Sequence, residues 1–150
     1  MIKDLVKETR SRIAKVTNEP IRYGLMACYL LAARASEVVG VASASDTTTP
    51  YGPRGNHAWE DAFQAEGPAP ERVAVFRVRT AKRQGLERFI ALPLDPRYEP
   101  WSRPLLDYYR AQGGENLVFP FTRQTLFCYA REAFSGLTYE IEPQRIEGGR

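Results

Sequence analysis

Nineteen residues, Ile21 to Val39, form an almost unbroken apolar stretch, and after Arg22 only Arg34 and Glu37 carry charge in it. Its continuous core, Leu25 to Ala33, is too short for a bilayer, which needs about 20 apolar residues. A segment apolar on all sides predicts one helix over residues 21–39, buried at the centre of a core and stopped by Gly40. Pro20, after Asn18 and Glu19, suits its first turn.

Around this helix the chain reads as one domain spanning residues 1–150, a length that sustains a core without staples. Hydrophobic residues are 43% and charged residues 26%, which excludes a disordered chain, a collagen-like repeat and a coiled-coil rod. Residues 2–16 carry a partial apolar stripe and predict a first helix. Residues 43–70, rich in Gly, Pro, Ser and Thr, read as a long loop or insertion, with at most one helical turn over Trp59 to Gln64. Val73–Val78 and Arg88–Leu92, joined by Lys82-Arg83-Gln84-Gly85, predict a β-hairpin. Short helices are expected over Pro104–Gln112 and, N-capped by Thr122, over Arg123–Phe134. Residues 143–150 read as a flexible tail. The fold class is α+β, helix-rich, with a small antiparallel hairpin sheet packed on a helical core.

Cys28 and Cys128, both in apolar segments, read as buried free thiols. With no signal-peptide pattern at Met1-Ile2-Lys3-Asp4, a cytoplasmic protein without membrane contact is expected. The lone histidine, His57, has no second histidine or cysteine partners and reads as a surface residue. No metal or cofactor is expected.

The net charge is only +3, but six basic residues fall between Arg72 and Arg88. Such a cluster is either a solvated hairpin face or a surface for an anionic partner, foremost nucleic acid. Arg34 is the most constrained cation. In an apolar helix a guanidinium is either paired, with Glu37 at i, i+3, or serves an anion.

The ordered motifs resemble those of the tyrosine recombinases, the phage integrase family. Ala33-Arg34-Ala35-Ser36-Glu37-Val38-Val39-Gly40 is similar to the family's first box, and Ser45-Asp46 to the loop that follows it. Arg79-Thr80-Ala81-Lys82-Arg83 and Glu87-Arg88-Phe89-Ile90-Ala91-Leu92-Pro93-Leu94 resemble its basic hairpin and apolar-Pro-apolar exit. Leu117-Val118-Phe119-Pro120 and Thr122-Arg123-Gln124-Thr125 match the segments beyond. The likeness covers residues 2–142 and only the N-terminal part of the family's catalytic domain.

The resemblance implies strand cleavage and rejoining of double-stranded DNA through a 3′-phosphotyrosine, without metal or nucleotide. Arg34 would clamp the scissile phosphate, since a planar, permanently charged fork suits the charge of a phosphorane. Glu37 would orient it. Lys82 would protonate the leaving 5′ oxygen as general acid; an ordinary solvated turn lysine is the other reading. Arginine is a poor proton donor, so Arg79 is not preferred for that step. Arg79, Arg83, Arg88, Thr122 and Arg123 would contact DNA, the last two at a helix N-terminus.

The family's His-x-x-Arg box would fall at Gln144-Arg145-Ile146-Glu147, where Gln and Glu replace the functional residues, and no tyrosine follows Tyr139. The chain by itself is therefore expected not to cleave DNA, and to self-associate through apolar surface that missing helices would cover. The rival readings are a stand-alone, non-catalytic DNA-binding protein and a small protein-interaction domain.

Overall fold

The computed structural model describes residues 2–41, 52–63, 71–80 and 86–137. The fold is helix-rich α+β. Helices α1 (Ile2–Ala14), α2 (Glu19–Leu31) and the single turn α3 (Ala35–Val38) precede a sheet of β1 (Ala58–Phe63), β2 (Glu71–Arg79) and β3 (Glu87–Pro93). Helices α4 (Ser102–Ala111) and α5 (Arg123–Ala133) follow.

The sheet is antiparallel throughout, in the order β1-β2-β3, with Ala58 opposite Phe76 and Phe76 opposite Ile90. Alternation along β2 sends Ala74, Phe76 and Val78 inward. There Phe76 meets Tyr109 of α4 edge-to-face at 5.1 Å, and Tyr109 meets Phe119 in the same way at 5.7 Å. A second cluster joins Ile13, Ile21, Leu25, Met26, Val39 and Leu126. Helix α2 contributes to both clusters, which is why its sequence is apolar on nearly every side.

Asn18 caps α2, its Oδ1 accepting from the Ile21 amide at 3.3 Å, with Pro20 in the first turn. Arg10 of α1 grips Glu99 with both Nη atoms, at 2.8 and 2.5 Å, and lies over the rings of Tyr29 and Trp101. This one side chain binds α1 to α2 and to the approach to α4.

Four expectations need correction. The loop assigned to residues 43–70 contains a 3-10 turn, Gly55–His57, and strand β1, whose backbone is satisfied by pairing along β2. The helix expected over Ile21–Val39 ends at Leu31, and a left-handed Ala32 (φ 49°, ψ 40°) separates it from α3. A continuous helix would set Arg34 in line with Leu31 and Val38, both buried, and the break turns it to solvent instead. His57 is not a surface residue but 8% exposed. Cys128 is exposed on α5, while Cys28 is half-buried. The tail assigned to residues 143–150 lies outside the described residues.

Candidate functional site

The turn after α2 is built in three steps. The amides of Ala32 and Ala33 both reach back to the Cys28 carbonyl, closing the helix. Arg34 is extended (φ −74°, ψ 154°) and begins α3. Glu37 then folds back, its Oε1 accepting the Arg34 backbone amide at 3.0 Å, the carboxylate half of a capping box.

Glu37 therefore holds Arg34 through the main chain rather than as a guanidinium–carboxylate pair. The Arg34 guanidinium is exposed and makes no ion pair with the described residues. The Glu37 side chain is only 7% exposed, and the cation beside it is Arg88 of β3, with Nη2 at 3.6 Å. Arg88 also donates from Nη1 to the Leu31 carbonyl at 3.0 Å and from Nη2 to the Ala32 carbonyl at 3.1 Å. The hairpin is thus fastened to the turn that carries Arg34.

A narrow cleft opens beside this junction, between α3 and β2. Glu37, His57, Arg77, Arg79 and Tyr109 line it, and its free volume is about 10 Å³. Gly52 borders it at φ 88°; a Cβ there would lie 2.7 Å from the Val39 carbonyl oxygen, so only glycine lets the chain pass. Arg77 is held by Glu87 in a two-pronged pair, with Nε to Oε2 at 2.7 Å and Nη2 on Oε1. Arg79 lies 3.9 Å from the same carboxylate and is 60% exposed. The Arg77 hydrogen bonds, with the nearby arginine charges, hold Glu87 below the usual glutamate range.

His57 is the residue that sequence reasoning missed. Its Nδ1 accepts the Arg54 amide at 3.1 Å. Burial, then the charges of Arg77 and Arg79, push its pKa below the usual value of 6.5. A lone histidine carries no spacing signal, and nothing before β1 advertises that the turn folds inward.

Lys82 and Arg83 lie outside the described residues. Their connection is bounded by the Arg79–Glu87 pairing and by the Thr80 amide donating to the Leu86 carbonyl at 3.0 Å. Thr122 caps α5, its Oγ1 accepting the Thr125 amide at 3.1 Å. Arg123 is exposed in the first turn, over the Phe127 ring at 5.9 Å. A bridge between Val41 and Thr122, and the Gly40 amide donating to the Phe119 carbonyl, bring this helix start beside the end of α3.

Cys28 lies in the same region. Burial pushes its thiol up to about 12, which leaves it protonated and unreactive at neutral pH. Among the described residues no group of acidic, histidine and cysteine side chains is arranged to hold a metal ion, and no helix is long and apolar enough to cross a membrane. Comparison with protein-family models, with curated proteins and with solved structures finds no match.

Proposed function

We propose that this chain carries the N-terminal part of a tyrosine-recombinase catalytic domain and binds double-stranded DNA with Arg34 on a backbone phosphate. The observation that carries the reading is the Arg88 tie. Two motifs far apart in sequence, the Arg34 turn and the basic hairpin, are neighbours because Arg88 of β3 is bonded to Leu31 and Ala32. Arg34 is exposed and, among the described residues, forms no ion pair; a guanidinium turned to solvent beside a fixed Glu37 suits a phosphate clamp.

In the intact recombinase, Lys82 would deliver the proton to the leaving 5′ oxygen while Arg34 stabilises the phosphorane. Arg79, Arg83 and Arg123 would hold the flanking backbone. Thr122 would contribute by presenting the free amides of α5. Arg88 would act by holding the clamp in place.

Fluorescence anisotropy with a labelled duplex across a salt series tests this. Affinity should fall steeply with salt, because phosphate contacts release counterions. Arg34→Ala should weaken binding and reduce the log–log salt slope by about one. Salt-independent binding would instead support a protein-interaction domain, and an unchanged slope in the variant would remove Arg34 from the phosphate contact.

A second reading, a non-catalytic DNA-binding protein, is favoured by Gln144 and Glu147 where the family carries His and Arg. A carboxylate at Glu147 would repel the phosphate that an arginine should hold. Both readings expect DNA binding, and only the first expects cleavage once a His-x-x-Arg box and a nucleophilic tyrosine are supplied. We also propose self-association through α5, where Phe127 is 48% and Tyr129 37% exposed. Light scattering should show mass rising with concentration, and a constant monomer mass would sink the idea.

A further inference from the structure

We propose that the cleft between α3 and β2 receives one oxygen of a phosphate group, bound by the Nε2–H of His57 and the guanidinium of Arg79. This adds a subsite to the surface described above; only its assignment to a DNA phosphate rests on the recombinase reading.

The geometry of His57 carries the argument. Its Nδ1 is committed as acceptor to the Arg54 amide at 3.1 Å. The neutral ring must then carry its proton on Nε2, the one polar atom left to the cleft. His57 thus presents a donor whose tautomer and orientation are already fixed. The cleft volume, about 10 Å³, admits about one oxygen-sized atom and excludes a metabolite. A tetrahedral phosphate can insert one oxygen and keep the others at the mouth, where the exposed Arg79 reaches them.

Charge selects an anion. The groups around the ring are Arg54 beside it, Arg77 and Arg79 from β2, Glu87 from β3, Glu37 from α3 and the Tyr109 phenol from α4. Tyr109 is buried, which raises its pKa and keeps it neutral. Among the described residues Glu37 is matched by Arg88 and Glu87 is shared by Arg77 and Arg79, so these groups and Arg54 leave the cleft net positive. Arg54 uses Nη1 on the Glu115 carbonyl, and no carboxylate of the described residues pairs with it.

The same groups keep the donor in one protonation state. Burial and the neighbouring arginines hold His57 neutral at pH 7. A second proton would have to sit on Nδ1 and would cost the Arg54 amide bond, so the ring meets the phosphate as the neutral Nε2–H tautomer.

The chain has one histidine, so the ring Cε1–H signal in proton NMR is unambiguous. Inorganic phosphate and a short DNA duplex are titrated separately at pH 7.5. The expected result is a saturable shift of this signal with each ligand. His57→Asn keeps an acceptor for the Arg54 amide but lacks Nε2. It should fold, by circular dichroism, yet bind phosphate at least about threefold more weakly, as Arg79→Ala should. A shift with phosphate alone supports the cleft while removing DNA as its source. Duplex binding that leaves His57 unshifted, an unresponsive ring with both ligands, or unchanged phosphate affinity in a folded His57→Asn protein overturns the proposal.

Discussion

Arg88 shows how one side chain can be counted with the wrong neighbours. By sequence it belongs to the basic cluster of Arg72–Arg88 and reads as a phosphate contact. In the fold it stands opposite Val78, on the inward face of the sheet, and ends on the carbonyls of Leu31 and Ala32. The alternation that exposes Phe89 at 60% already points Arg88 the other way, so the inward direction was legible. Its destination was not, because no local pattern records which helix end lies beneath a strand. Replacing it by methionine keeps the aliphatic stem but removes two charge-assisted hydrogen bonds and takes a guanidinium away from the buried Glu37 carboxylate. Arg88→Met should cost about 3 kcal/mol, measured as a fall in the urea midpoint at unchanged m-value. A loss below about 0.5 kcal/mol, ordinary for a surface change, would show that the tie is incidental.

At the scale of elements, the strong signals located most of the chain. The hairpin emerged from its strand and turn residues, α5 from the Thr122 cap, α1 from its partial apolar stripe, and α4 from the proline-rich stretch before it and Gly113-Gly114 after it. Two elements escaped for opposite physical reasons. Strand β1 reads Ala-Trp-Glu-Asp-Ala-Phe, too polar for a core strand, and exists because β2 offers an edge to pair with. The break at Ala32 has neither glycine nor proline to announce it. Tertiary burial of Leu31 and Val38, with Arg34 kept in water, forces alanine into a left-handed conformation that ordinarily costs about 1 kcal/mol or more. Ala32→Gly should therefore stabilise the protein by about 0.5–1 kcal/mol in the same urea assay, net of the entropy glycine adds to the unfolded chain. Its duplex affinity should be unchanged, because Glu37 still fixes Arg34. Destabilisation would mean that α2 and α3 run on as one helix in solution and that the exposed clamp is absent.

The whole molecule should respond to acid in two windows set by different groups. His57 has a folded pKa below its ordinary value of 6.5, from burial and from Arg77 and Arg79. Between that lowered value and about 6.5 the unfolded chain binds more protons, so stability is complete above 6.5 and declines as the pH falls through this interval. Glu99 acts further down. Burial alone would raise its pKa, but the Arg10 hydrogen bonds, the Trp101 amide and the Arg10 charge outweigh burial and hold it below the usual 4.5. Its contribution is full above about 4.5 and is lost as the pH falls through the folded value, with Glu8, Glu60, Glu87 and Asp95 shifted the same way by their own arginine partners. The urea midpoint should thus be level near neutrality, fall first below 6.5, and fall again below 4.5. His57→Asn should erase the first decline and leave the second. Glu99→Gln should lower stability at pH 7, because Arg10 is left between Tyr29 and Trp101 without its carboxylate, and should flatten the second decline. A midpoint that stays level from pH 7 to 5.5 would mean that His57 is not held neutral in the fold. The cleft would then lose its fixed donor, while the Arg10–Glu99 anchor, which shares no residue with the cleft, would still be read in the lower window.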